Sequence, residues 1–163
     1  MTKIISVWLI LQDGKNKNKI ALQKRRAHET FSPYICQATW SGGVEPGETP
    51  LEAVKRECDE EMGSKFFKNF DFSKLKKMPK EKHISIKNKK TYEIYNYFAQ
   101  TNDKTIKSAK LHRDAFSKFI FIGLESEIHP IKSNKDPKCN IVLFDDQYKV
   151  IKKILNGNKR NTK

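Results

Sequence analysis

Three glutamates, Glu57, Glu60 and Glu61, stand at i, i+3 and i+4 in the sequence. If that segment is helical, their carboxylates project from one face. Anions at this spacing weaken an isolated helix, and each resists the ionisation of the others. A hard divalent cation removes the conflict: Mg²⁺ takes oxygen ligands and keeps further positions for water and a phosphate. Arg56, next in sequence to the cluster, can hold a carboxylate in a fixed orientation by a bidentate contact. The plainer alternative is an acidic, solvated helix surface, and composition alone favours it.

Charge sharpens the question. The segment 42–63, GGVEPGETPLEAVKRECDEEMG, holds seven acids and two bases and so carries −5. The whole chain of 163 residues carries +14, which leaves +19 outside the segment. An acidic patch concentrated in a basic protein calls for an explanation. The basic excess suits anionic partners such as nucleotides or nucleic acid, and it also suits a merely lysine-rich solvated surface.

The local sequence makes the segment a helix. Thr49-Pro50-Leu51-Glu52 is a capping box, with a hydroxyl cap, proline at the first helical position and glutamate three residues after the cap. Leu51, Val54, Cys58 and Met62 recur at helical spacing and form the expected buried stripe, on a different face from the acids. Gly63 provides the stop.

Around this helix, residues 4–11 and 20–24 read as a hairpin of strands, and 35–40 as a third strand ending at Gly42-Gly43. Residues 66–82 read as a basic, irregular stretch. Runs 83–87 and 92–99 form a second strand pair, 100–110 a polar loop, 119–122 an apolar strand and 125–140 a connection. A last helix is expected over 145–155. Residues 1–156 are expected to form one domain, with 157–163 a frayed polar tail. Strands on both sides of one well-capped helix, with a final helix, predict an α/β architecture with a mixed sheet between helices.

With these residues placed, the segment resembles the box of the Nudix hydrolase superfamily: Gly42, Glu48, Arg56, Glu57, an apolar place filled by Cys58, then Glu60, Glu61 and Gly63. Every charged and glycine position matches; Ser64 departs, standing where the family usually has an aliphatic residue. The resemblance implies a Nudix-type α/β/α sandwich with a mixed sheet. It implies Glu57, Glu60 and Glu61 as ligands of Mg²⁺ or Mn²⁺, with the carbonyl of Gly43 a further ligand, and Arg56 and Glu48 orienting the cluster. The implied catalytic set is Glu48, Arg56, Glu57 and Glu60. The implied reaction is attack of a metal-activated water on a phosphorus of a nucleoside diphosphate derivative, which agrees with what a divalent metal does to water and phosphoryl oxygens. The family often takes one more acid from a loop across the sheet, for which Asp114 and Glu93 are the candidates.

The stretch 23–33 followed by the box is similar to the Nudix branch that contains isopentenyl diphosphate isomerase. That isomerase needs a cysteine just before the box glycine and a histidine after it. Here Ser41 and Gly43 take those places, and Cys36 lies five residues before Ser41, so isomerase chemistry is disfavoured. Arg25 and Arg26 are candidates for phosphate binding, or ordinary strand-end charges. Tyr95 is a candidate for stacking on a base, though aromatics on strands also serve cross-strand packing.

The expected substrate is thus a small nucleoside di- or triphosphate derivative. The alternative partner is RNA, through the basic surface, either as a capped or triphosphate end or as a bound strand. No contiguous basic-aromatic motif of an RNA-binding module is visible. Three cysteines without CxxC spacing argue against a disulfide framework or a zinc site and fit a reducing cytoplasm. The apolar run 4–11 is too short to span a bilayer, and no membrane partner is expected.

Overall fold

The first strand, β1 (Thr2–Leu11), is apolar on both sides because both of its faces are covered. Ile5, Val7, Leu9 and Leu11 enter one core cluster, and Trp8 and Ile10 enter another. A strand buried on two faces reads as a continuous apolar run instead of an alternating one. The structure, a computed structural model, describes residues 1–29, 32–84, 89–111 and 116–160.

The remaining strands are β2 (Ile20–Arg25), β3 (Cys36–Gln37), β4 (Trp40–Gly43), β5 (Lys76–Lys77), β6 (Glu81–Ile84), β7 (Thr91–Thr101), β8 (Phe116–Ile122), β9 (Ile128–Pro130) and β10 (Ile141–Leu143). The helices are α1 (Pro50–Met62), α2 (Ser64–Asn69), α3 (Asp103–Lys107) and α4 (Asp145–Arg160). β1 pairs in parallel with β7 from Thr2–Tyr92 to Leu11–Thr101. Its other edge is shared between β4, antiparallel along Ile4–Val7, and β2, antiparallel at Leu9 and Ile10. β2 also pairs antiparallel with β3 and β8, while β10 joins β3, and β9 joins β10, in parallel. The sheet is therefore mixed, as expected.

Helices cover both faces. Ala53, Val54, Cys58 and Met62 of α1, with Phe66 of α2 and Ile106 of α3, close the first cluster. Val150, Ile151, Ile154 and Leu155 of α4 close the second. The result is the α/β/α sandwich that the resemblance implied. The α1 cap forms as read: Glu52 N–H donates to Thr49 Oγ1, and Thr49 N–H donates to the Glu52 carboxylate at 2.7 Å. Gly63 ends the helix at φ +83°, a conformation glycine adopts without penalty.

Several elements differ from the sequence reading. Leu51 is 44% exposed, so the buried stripe starts at Ala53 and Val54; periodicity gives a face but not how far the sheet extends beneath the helix end. The stretch 66–82 is not irregular: it holds α2, a 3₁₀ turn over Phe72–Lys74, β5 and the start of β6. Its lysines mask a core signal, Phe66 and Phe70 at i and i+4, both buried. The polar loop at 100–110 contains α3, capped by Asn102 and anchored by buried Thr105 and Ile106. The strand read over 35–40 is split into β3 and β4, and 125–140 includes β9 and two 3₁₀ turns. The strand expected at 83–87 runs from Glu81 to Ile84, and residues 85–88 lie outside the described residues. α4 continues to Arg160, through residues expected to fray.

Candidate active site

Trp40 sets the geometry. Its ring is fully buried, edge-on to Phe66 and Phe70 at centroid distances of 5.9 and 5.5 Å. Its indole N–H donates to the Val54 carbonyl at 3.0 Å, tying β4 to α1. Ser41, Gly42 and Gly43 follow directly in β4, so the anchored tryptophan fixes this strand against α1. The fit is close at Gly42, where an added Cβ would lie 2.0 Å from the Glu57 carboxyl carbon. Only a glycine leaves the room that Glu57 occupies.

Arg56 organises the acids. Its Nε donates to Glu48 Oε1 at 3.0 Å and its Nη2 to Glu48 Oε2 at 3.1 Å, a bidentate pairing. Nη2 also donates to the Gly43 carbonyl at 2.7 Å. Nη1 donates to Glu57 Oε1 at 2.8 Å and reaches Glu60 Oε2 at 3.4 Å. One guanidinium thus joins the loop before the helix to two turns of the helix. A further bond from Glu45 N–H to Glu48 Oε2 at 2.9 Å braces the loop. The Arg56 hydrogen bonds hold the Glu48 carboxyl below the usual carboxylate range, and the same contacts raise the guanidinium further above neutrality.

Glu57 and Glu61 lie deeper. Burial raises the Glu57 carboxyl above its ordinary value despite its ion pair with Arg56. Burial also pushes Glu61 up to about 8, with the charges of Glu57 and Glu60 adding to the rise. Glu61 Oε2 accepts from Ser41 N–H at 3.3 Å and from Gln23 Nε2 at 3.1 Å. Glu60 is the outermost of the three, with its side chain 58% exposed.

Among the described residues, no three carboxylate, imidazole or thiolate side chains are gathered closely enough to form a ready-made cation cage. Glu57 and Glu60 turn to Arg56, and Glu61 turns to the Ser41 amide. The donor set still fits a hard cation. It consists of carboxylate oxygens and the Gly43 carbonyl, as Mg²⁺ or Mn²⁺ prefers, and the Gly42 cradle keeps Glu57 close to the Gly42-Gly43 backbone. Glu57, Glu60, Glu61 and the Gly43 carbonyl are the groups that would hold it.

The structure thus brings together Gly43, Glu48, Arg56, Glu57 and Glu60, with Glu61 beside them. Arg25, Tyr95 and Glu93 pair with other side chains. Arg25 ion-pairs with Glu29 at 2.7 Å, and Arg26 follows it at the end of β2, half-buried. Tyr95 donates its hydroxyl to Glu93, and its ring carries the Lys77 and Lys80 ammonium groups at 5.4 and 5.8 Å. Glu93 is 5% exposed and paired with Lys80 at 2.7 Å, an arrangement that keeps the carboxyl charged and occupied. Asp114 lies outside the described residues. The sequence reading missed Gln23 and the Ser41 amide as partners of Glu61. The one available signal was a glutamine inside the apolar run IALQ.

A family model described as NUDIX domain matches residues 2–138. A Yersinia pestis protein described as an uncharacterized Nudix hydrolase is 36% identical over 58 residues, 36% of this chain. That alignment spans 31% of the relative's length. Among solved structures, a NUDIX hydrolase from Alicyclobacillus acidocaldarius superposes with a TM-score of 0.66 at 10% identity, covering 93% of this chain and 90% of the other. A Deinococcus radiodurans protein superposes with a TM-score of 0.60 at 13% identity, covering 93% and 82%. At such identities these two show a shared fold.

Proposed function

The chain belongs to the NUDIX domain family, and from that premise we propose that it hydrolyses the diphosphate linkage of a small nucleoside di- or triphosphate derivative with Mg²⁺ or Mn²⁺. The observation that carries this reading is a cavity of about 340 Å³ that shares Ser41 with the acid site. It is lined by Ser41, His83, Tyr92, Phe144, Asp146 and Gln147, among others. Ser41 belongs to both places, since its N–H meets Glu61. The volume is at the small end of ligand sites and suits one nucleotide. Tyr92 and Phe144 place aromatic rings in its lining, the kind of surface on which a base stacks.

A bound divalent cation supplies a lowered pKa for water at the site and neutralises charge on phosphoryl oxygens. The residues of the chain position and hold. Arg56 keeps Glu48, Glu57 and the Gly43 carbonyl in register, Gly42 makes room for Glu57, and the Ser41 amide holds Glu61. Isomerase chemistry lacks its group: Cys36 is fully buried and its thiol is pushed up to about 11, while Ser41 stands nearer the acids.

One observation favours RNA as the alternative substrate. A groove of about 500 Å³ beside α4 is lined by Lys132, Tyr148, Lys149, Lys152 and Lys153, with Asp145 among its other residues. Lys152 and Lys153 already pair with Glu125 and Glu81, which reduces the field left for a phosphate chain. The deciding experiment is a panel of nucleoside di- and triphosphate derivatives beside short capped and triphosphorylated RNA, with Mg²⁺ or Mn²⁺, reading phosphate or pyrophosphate release. Mononucleotide turnover that stops on chelation is the expected result. RNA cleaved far more efficiently than every mononucleotide overturns the substrate assignment.

A further inference from the structure

Gln23 is a fully buried polar side chain inside an apolar strand. Its Nε2 donates to the Thr39 carbonyl at 2.5 Å and to Glu61 Oε2 at 3.1 Å. The amide has only one workable orientation, because turning it over would set its oxygen against the Thr39 carbonyl oxygen, 2.5 Å away. In that orientation Gln23 Oε1 is buried without a hydrogen-bond partner. A buried, unmet acceptor destabilises the fold. A leucine or methionine would fill the same space without that cost, so filling space does not explain the glutamine.

The other end of the contact is rigid. Thr39 occupies the break between β3 and β4 and is fully buried. Its N–H donates to Val7 O at 2.9 Å, its Oγ1 donates to Ala21 O at 2.6 Å, and that Oγ1 accepts from Leu9 N–H at 2.9 Å. Three bonds to β1 and β2 therefore fix the carbonyl that Gln23 holds. Through Gln23 the sheet reaches across to Glu61, near the end of α1.

We propose that Gln23 is a positioning residue for the cation site, holding Glu61 in a single orientation through Oε2. Ser41 N–H meets the same oxygen, so Oε1 is the atom kept for a ligand. The inference deepens the metal-dependent reading above and rests on it. Partners that orient a ligating group from outside the ligand set typically change metal affinity by about 10–100-fold when removed.

The test is a double-mutant cycle on the full chain, titrated with Mn²⁺ alone by electron paramagnetic resonance, with circular dichroism confirming that each variant is folded. Gln23→Met is expected to weaken Mn²⁺ binding about tenfold in the natural background. In a Glu61→Gln background the same change should have almost no effect, because the group that Gln23 positions has already been altered. A structural role alone predicts equal losses in the two backgrounds, or none, and either overturns the inference while leaving the metal reading standing. If Glu61→Gln by itself leaves Mn²⁺ binding unchanged, Glu61 is not a ligand and the inference falls with that assignment. Should Gln23→Met fail to fold, Gln23→Asn carries the same test, since it keeps an amide and withdraws it by one methylene.

Discussion

Adding one methyl group at Gly42 should disable the site while leaving the fold nearly intact. The backbone there is not in the left-handed region, so alanine meets no conformational barrier. The obstacle is Glu57: the new Cβ would stand 2.0 Å from its carboxyl carbon and Oε1, and 2.4 Å from Oε2. Carbon contacts settle near 3.5 Å or more, so the carboxylate must retreat by roughly 1.5 Å. A shift of that size breaks the 2.8 Å bond from Arg56 Nη1. The loss in stability should be small, about 1 kcal/mol or less, because the ion pair is partly exposed and solvent screens it. The loss in activity should be large, since a misplacement of about 1 Å can lower the rate ~10²-fold, or ~2.7 kcal/mol of transition-state stabilisation. Gly42→Ala is therefore expected to melt close to the natural protein, bind Mn²⁺ weakly and lose about two decades of kcat/KM. Activity within threefold of the natural protein would refute the claim that Glu57 must sit against Gly42.

Other perturbations separate stability from activity. Glu60→Gln removes one of three crowded charges, so the metal-free melting temperature should hold or rise while turnover collapses; unfolding of this variant would make Glu60 structural. Arg56→Lys cannot reproduce the bidentate hold on Glu48 together with the contacts to Gly43 and Glu57. A drop of about tenfold or more in kcat/KM is expected, checked by steady-state kinetics, and full activity would refute an orienting role. The Glu93 carboxyl is held below its ordinary value by Lys80 and Tyr95, so its stabilising contribution is complete above the unfolded value, about 4.3, and is lost as pH falls through the lower folded value. The difference in melting temperature between natural protein and Glu93→Gln should therefore be greatest near neutrality and shrink in acid; a difference that does not change between pH 7 and 3 would contradict it.

Much of this protein could be read from local sequence, because the relevant interactions are local. The cap at Thr49, the stop at Gly63 and the spacing of Glu57, Glu60 and Glu61 are properties of one helix, with a period that does not depend on the rest of the chain. The two-sided burial of β1 is visible in its run Ile4–Leu11, apolar at every position but Ser6. Other features involve partners distant in sequence. Phe66 and Phe70 lie in a lysine-rich stretch, and only packing against Trp40 turns that stretch into core. The exposure of Leu51 depends on where the sheet ends beneath α1, and the occupied state of Glu93 depends on Lys80 from the neighbouring segment. The sequence by itself determined the acids and the helix that carries them. Only the tertiary structure decided that Gly42 makes room for Glu57, that Gln23 and Ser41 hold Glu61, and that a cavity opens at Ser41, because each requires strands or helices from elsewhere in the chain to come together.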